Sequence, residues 1–355
     1  MNFNKILIIN PYGIGDVIFT TPVIKNLRRA LPAAQIAYLA NGRTADFLKQ
    51  NPDINQVFIY ERDEFVAAYR QNPLTFAQKW FSFYQEIRRE KFDLVLDFSL
   101  NNTFGFLAAA CGIKRRIGFN YRGRGQFLTD KIELLGFEGK HVVDFFLDLL
   151  TFIDVPIIDN HLFLTVPAKD IQWAKDWLKK HEVDGRKPLV AVFPGGGASW
   201  GNQAKYRLWS PVNYAQLVDK IIENFDADII LLGDSKDEAL CRDVSRLANF
   251  PLYDAVGQTT LLGLAALFKQ CRAAIINDSG SVHVAVALGV KALSIYGPVD
   301  PNVYGPYPPA EHRTVQKKLP CQPCYRRFRM PQCSHISCLR DLSVEEVYRK
   351  VGSLL

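Results

Sequence analysis

Three loops hold the residues best suited to chemistry. The first is Asn10-Pro11-Tyr12-Gly13-Ile14-Gly15-Asp16, with Thr20-Thr21-Pro22 close behind. Paired glycines let a backbone turn tightly and approach a ligand. Asp16 then falls at a helix start. A carboxylate there can cap the helix. It can also act as a general base and take the proton of an attacking hydroxyl, worth roughly a hundred- to ten-thousandfold in rate. The spacing is not a dinucleotide fingerprint. Ile18 stands where the third glycine belongs, and Leu39-Ala40-Asn41 offers no ribose-binding acid.

The second loop is Pro194-Gly195-Gly196-Gly197-Ala198-Ser199, followed by Lys205, Arg207 and Trp209. Consecutive glycines expose N–H groups that can wrap phosphate oxygens, or they can simply form a surface turn. A cation here would neutralise a diphosphate leaving group. The third loop, Asn277-Asp278-Ser279-Gly280-Ser281-Val282-His283, opens an apolar helix. A helix N-terminus favours anions, and Asp278 can accept bonds from sugar hydroxyls. His283, one turn inside, reads on its own as structural. Gly297-Pro298-Val299-Asp300-Pro301 then makes a rigid turn.

These loops need strands that end beside them. Ile6–Ile9, Ile36–Leu39, Val57–Tyr60 and Leu94–Leu96 read as buried strands, with helices at 23–31 and 76–90 between them. The pattern restarts with Leu189–Phe193, Ile229–Leu232, Ala274–Ile276 and Ala292–Tyr296, separated by helices at 212–224, 236–248 and 261–269. Alternation of this kind predicts parallel sheets covered on both faces. The fold class expected is α/β, with two Rossmann-like doubly wound domains, 1–167 and 168–355, facing a central cleft. Ligands of such sheets bind beyond the carboxyl ends of the strands. Ser343-Val344-Glu345-Glu346 has the spacing of a capping box and predicts a final helix.

At 355 residues the chain is long enough for two domains. No apolar run approaches the roughly 18 residues of a membrane span. The first strand leaves no room for a signal peptide, so a cytoplasmic protein is expected. The formal charge of +7 suits phosphorylated substrates or an anionic membrane face. A nucleic-acid role lacks the aromatic residues interleaved on a basic stripe that it would need. Lys114, Arg115, Arg116, Arg122 and Arg124 form one basic cluster, either a solvated loop or an anion site. Cys111, Cys241 and Cys271 read as packing residues. Cys321, Cys324, Cys333 and Cys338 crowd the tail, a ligand set that a tetrahedral zinc or iron site uses; free thiols are the alternative. Nearby arginines are expected to lower the thiol pKa values.

Taken together, Gly13-x-Gly15-Asp16 with Thr20-Thr21-Pro22, Pro194-Gly195-Gly196, Asn277-Asp278-Ser279-Gly280-x-x-His283 and Tyr296-Gly297-Pro298-x-Asp300-Pro301 resemble glycosyltransferase family nine, the ADP-heptose:lipopolysaccharide heptosyltransferases. The segments occur in family order along nearly the whole chain. The resemblance implies the GT-B architecture and an inverting, metal-independent transfer from ADP-heptose to the lipopolysaccharide inner core. It implies Asp16 as catalytic base. It implies donor contacts from Gly195, Gly196, Gly197, Ser199, Lys205, Arg207, Asn277, Asp278, Ser279, Gly280 and His283. The family usually has lysine two residues before the tryptophan, where this chain has Arg207, so Lys205 and Arg207 compete for the diphosphate. An anionic acceptor implies contacts from Gly13, Gly15, Asn101, Asn102, Arg115, Arg116, Arg122, Arg124 and His141. It also implies peripheral work at the inner face of the inner membrane. Related cysteines occur in many members, and iron is bound in a subset that glycosylates autotransporters, so a structural zinc or iron in the tail stands beside free thiols, or disulfides on isolation, as the two readings. Another acceptor such as a protein, another ADP-sugar, or donor binding without turnover are the alternatives.

Overall fold

The computed structural model describes residues 3–355, apart from the side chains of Ala198, Ser199, Trp200 and Asn202. The chain divides into two compact units. One comprises residues up to 137 together with 142–160; the other comprises 138–141 and 161–355. The division drawn from the sequence, at residue 167, falls just before the helix Ala168–Lys180.

The first unit holds a six-stranded sheet of β1 (Lys5–Ile9), β2 (Gln35–Ala40), β3 (Gln56–Ile59), β4 (Leu94–Asp97), β5 (Arg115–Tyr121) and β6 (Asp130–Leu134). The order is β3-β2-β1-β4-β5-β6, and every pairing is parallel. Ile6, Leu7, Ile8 and Ile9 are wholly buried. Such a continuous aliphatic run is what a strand covered on both faces requires. Each of these side chains contributes roughly 1.5–3 kcal/mol by leaving water.

The second unit repeats the plan with β7 (Leu189–Phe193), β8 (Asp228–Leu231), β9 (Tyr253–Asp254), β10 (Ala273–Asn277), β11 (Lys291–Tyr296) and β12 (Arg313–Gln316). The order is β12-β11-β10-β7-β8-β9, again all parallel. Trp209 is fully buried in this core, and its indole N–H donates to the Leu342 carbonyl at 3.0 Å. That bond ties the core to the chain just before the last helix, Val344–Val351. Ser343 and Glu346 form the expected capping box there.

In both sheets the order of strands reverses beside the central strand. In the first unit the switch lies between β1 and β4; in the second, between β10 and β7. The loops that leave those strands at their carboxyl ends are the places where an open α/β sheet receives ligands.

Candidate active site

The first loop leaves β1 and the neighbouring loop leaves β4, with Ile9 paired to Asp97. Asp16 lies inside the short helix Ile14–Ile18, whose N-cap is Gly13. Asp16 is therefore not the N-cap residue but the third residue of the helix, where its carboxylate accepts from the N-cap backbone N–H of Gly13. Gly13 has φ −70° and ψ 174°, an extended conformation open to any residue, so positive-φ freedom is not what selects glycine there. The Asp16 side chain is reached by water. Crowding by surrounding protein nevertheless raises its pKa to about 6, while backbone N–H groups of Gly13 and Asp16 itself oppose the rise. Solvent screens part of that effect. The upward direction moves the carboxylate toward the range a general base needs.

The backbone of this loop is strapped from several sides. The Asn10 amide donates to the Asp16 carbonyl at 2.9 Å. The Asn41 amide donates to the Tyr12 carbonyl, and the Tyr12 hydroxyl donates to the Ser99 carbonyl. The Ser99 N–H in turn donates to Asp97 Oδ1 at 2.8 Å. Asp97 is buried, and desolvation raises its pKa to about 6. Desolvation, then the Asp97 and Asp16 carboxylates, push the Tyr12 phenol up, while Arg124 and Arg62 pull it down. Tyr12, Asp97, Ser99 and Arg62 thus join Asp16 at the carboxyl edge of the sheet; the sequence reading missed Asp97, Ser99 and Arg62 and had Tyr12 only as part of the loop. An acid ending a buried strand next to β1 was the available signal for Asp97.

The expected acceptor residues divide into two groups. Asn101 and Asn102 are exposed at the start of the helix Asn102–Ala110, after β4. Arg122 and Arg124 are exposed just beyond the carboxyl end of β5 and lie over the Tyr121 ring. These four stand at the edge that carries Asp16. Arg115 and Arg116 do not. The basic cluster is not one loop, because β5 runs through it. At about 3.3 Å per residue its two ends lie roughly 20 Å apart. Arg115 bonds the Phe152 carbonyl and pairs with Asp130 at 2.9 Å each; Arg116 bonds the Phe127 carbonyl at 2.6 Å. Both guanidinium groups are engaged in holding the sheet edge. His141 also departs from expectation. It belongs to the second unit, is buried, stacks near Tyr307 and shares a hydrogen bond with the Gly305 carbonyl at 3.0 Å.

In the second unit the loops after β7 and β10 are tied directly. The Asn277 amide donates to the Pro194 carbonyl at 2.6 Å, and the Tyr214 hydroxyl donates to Asn277 Oδ1 at 2.8 Å. Asn277 is fully buried. It braces the site instead of offering itself to a ligand. Gly195 and Gly196 are close-packed against protein. A Cβ at Gly195 would collide with the Asp237 carboxyl, and one at Gly196 would stand 3.0 Å from the Ala204 carbonyl oxygen. Of the three consecutive glycines, only Gly197 adopts positive φ, +83°. Asp237, unnoticed in the sequence, therefore sits at this turn, its pKa raised to about 6 by burial. The side chain of Ser199 lies outside the described residues.

Arg207 and Asp278 were both expected to face the donor. They face each other. Both are almost wholly buried, with the Arg207 Nε donating to Asp278 Oδ2 at 2.9 Å and a terminal guanidinium nitrogen paired with Oδ1. Such a fork occupies both carboxylate oxygens. Lys205 is the exposed cation of the pair that the sequence left competing. His283 is buried. Desolvation first, then the fields of His141, Arg207 and His312, lower its pKa to about 3. It is neutral at physiological pH and supplies no charge to a phosphate. Ser279, the N-cap of the helix Gly280–Ala287, makes no side-chain capping bond. Its buried Oγ has no hydrogen-bond partner within the protein. The arrangement leaves a hydroxyl and the first helical N–H groups, including that of Gly280, for an anion.

In the tail, the Cys324 thiol bonds the Cys321 carbonyl at 3.2 Å, and the Ile336 N–H approaches Cys333 Sγ at 3.4 Å. Among the described residues no group of three or more His, Cys, Asp or Glu is arranged to hold a metal ion. Cys338 is packed into the hydrophobic core while Cys321 is exposed, yet the four thiols are neighbours, since Cys321, Cys324 and Cys333 all act on Cys338. The expected fall in thiol pKa is also reversed. Burial and neighbouring thiols raise Cys324, against Arg326, and push Cys338 up to about 11.

A family model described as glycosyltransferase family 9 (heptosyltransferase) matches residues 80–335. Lipooligosaccharide heptosyltransferase 2 of Haemophilus influenzae is 23% identical over 372 aligned residues, covering 99% of each chain. The solved glycosyl transferase family 9 structure from Veillonella parvula gives a TM-score of 0.82 at 21% identity, covering 100% of this chain and 98% of that one. The structure of Escherichia coli ADP-heptose lps heptosyltransferase II gives 0.75 at 20% identity, covering 99% and 98%. These likenesses show a shared α/β fold of the GT-B kind. With its paired doubly wound sheets and a family match across residues 80–335, the chain belongs to glycosyltransferase family 9, the heptosyltransferases.

Proposed function

We propose that this glycosyltransferase moves heptose from ADP-heptose to a sugar hydroxyl of the lipopolysaccharide inner core, with inversion at the anomeric carbon. Asp16 carries the reading. It is a water-accessible carboxylate at the switch point of its sheet, held by backbone N–H groups at the start of its helix, with its pKa raised toward neutrality. Asp16 takes the acceptor hydroxyl proton as that oxygen attacks the anomeric carbon. The bond from that carbon to the β-phosphate oxygen breaks, and ADP leaves with the electron pair. Direct displacement from the opposite face gives inversion. The negative charge that grows on the diphosphate is met by the Gly280 end of its helix, the Ser279 hydroxyl and the exposed Lys205. Arg207 and Asp278 act from behind, as a buried pair that fixes the loop after β10. Arg122, Arg124, Asn101 and Asn102 receive the anionic acceptor, and the enzyme works at the cytoplasmic face of the inner membrane. Among the described residues no helix is long and apolar enough to cross a membrane, so a peripheral contact suffices for this role.

The pH profile tests the base. Only ionised Asp16 accepts the proton, so kcat/KM is expected to climb tenfold per pH unit below about 6 and to flatten above it. The profile is expected to be the same in the presence of a chelator. A flat profile between pH 5 and 8 counts against Asp16, and loss of activity on chelation counts against a metal-independent route.

A further inference from the structure

The helices Arg62–Gln71 and Pro73–Arg89 of the first unit are apolar on two sides. Inward, Phe65, Phe83 and Ile87 join the core, and Tyr60, Phe65, Trp80 and Phe83 form a ring cluster with centroids 4.7–6.2 Å apart. That accounts for one face. On the outside, Tyr69 is 66% exposed, Leu74 67% and Phe81 61%. Leu74 and Phe81 are seven residues apart and so share one helix face. The exposed Tyr69 ring meets Phe76 at 5.5 Å, on the side of the long helix turned away from Leu74 and Phe81, so Tyr69 stands at the margin of their face. Large apolar side chains grouped in this way on a protein surface mark a contact.

The charges say what kind of contact. From Pro73 to Gln85 the helix has no acidic residue, and its one charge, Lys79, is paired with Glu64. Arginines stand at the margins: Arg70 beyond Tyr69, and Arg88 and Arg89 at the far end, with Arg88 over the Tyr84 ring at 5.6 Å. The first acid on the long helix is Glu86. The acids of the pair, Asp63 and Glu64, open the shorter helix; the Leu74 and Phe81 face of the long helix, shared with Gln78 and Gln85 and flanked by arginines, matches the boundary between acyl chains and anionic headgroups. The surface also begins in the right place. Arg62, the first residue of the shorter helix, lies close enough to Tyr12 to shift its phenol, and Tyr12 is in the loop that carries Asp16.

We infer that this helix pair, through Leu74 and Phe81 with Tyr69 and Arg70 at one margin and Arg88 at the other, docks the enzyme on an anionic phospholipid surface. The inference rests on the proposed lipid-anchored acceptor and names the surface that meets its bilayer. All five side chains lie outside the site that handles sugar and diphosphate.

The full-length protein, as wild type and as Leu74→Ser/Phe81→Ser, is sedimented with vesicles of phosphatidylglycerol and phosphatidylethanolamine, and with phosphatidylcholine vesicles as control. Wild type is expected to partition onto the anionic vesicles, and the double variant about tenfold less, with an unchanged melting temperature because both residues are exposed. A second assay compares acceptor embedded in vesicles with the same core oligosaccharide freed of lipid. The variant is expected to lose rate only on the embedded acceptor. Equal partitioning of variant and wild type, or no binding of wild type to anionic vesicles, overturns the inference. So does a wild-type dimer that the variant dissolves, which would assign the face to a second copy. If neither protein turns over the freed acceptor, the proposed reaction is at fault, and the vesicle measurement still decides the docking surface.

Discussion

Asp16, Asp97 and Asp278 are three carboxylates with three different surroundings. Asp16 is open to water, with its pKa raised to about 6. Asp97 is buried and serves the Ser99 N–H, two links away from Tyr12 in the strap that holds the Asp16 loop. Asp278 is buried against Arg207; desolvation raises its pKa, and the guanidinium opposes that rise. Breaking such a pair strands a charge in the interior. Arg207→Ala is expected to cost about 3–5 kcal/mol of stability, seen as a lower urea midpoint at constant slope. The double variant Arg207→Ala/Asp278→Ala is expected to lose less than the sum of the two single losses. Strict additivity would show that the two residues act separately. These pairings were not legible in the sequence. Arg207 and Asp278 are 71 positions apart, and residue type alone assigned both to the ligand. For Asp16, residue type and place after a glycine pair left cap and base both open, and the base reading came from the family resemblance.

At the scale of elements, the main correction comes from β5. The sequence presents Lys114 to Arg124 as one basic cluster, yet a seven-residue strand passes through it and sends its two ends to opposite edges of the sheet. The strand was hard to read because its first two residues are arginines and its partner β6 reads Asp-Lys-Ile-Glu-Leu, with only one wholly buried side chain. Edge strands bury less and so show weaker patterns. The buried runs of β1, β2, β4, β7, β10 and β11 were legible for the opposite reason: they are apolar on both faces. The positions of the two ends of β5 predict distinct consequences. Arg122→Ala/Arg124→Ala is expected to raise the acceptor KM about tenfold while leaving the donor KM and the melting temperature unchanged. Arg115→Ala/Arg116→Ala is expected to lower the melting temperature by several degrees, since both guanidinium groups hold backbone carbonyls. Steady-state kinetics beside thermal unfolding separates the two. An acceptor effect from Arg115 and Arg116 with intact stability would return the acceptor to the other edge.

Across the whole molecule, two sheets of the same plan carry complementary chemistry. The first unit presents a carboxylate and exposed cations beyond the ends of β1, β4 and β5. The second presents a helix N-terminus, an unpartnered hydroxyl and a lysine beyond β7 and β10. In the proposed reaction the first unit would supply the base that deprotonates one substrate and the second the groups that neutralise charge on the leaving group of the other. The most direct test is ADP release from ADP-heptose, with and without a truncated lipopolysaccharide core, for wild type and Asp16→Asn. Wild type is expected to release ADP only with acceptor. Asp16→Asn is expected to bind ADP-heptose with unchanged affinity and to turn over at least a hundredfold more slowly. Full activity in Asp16→Asn, or no acceptor-dependent release by wild type that binds the donor, would contradict the account.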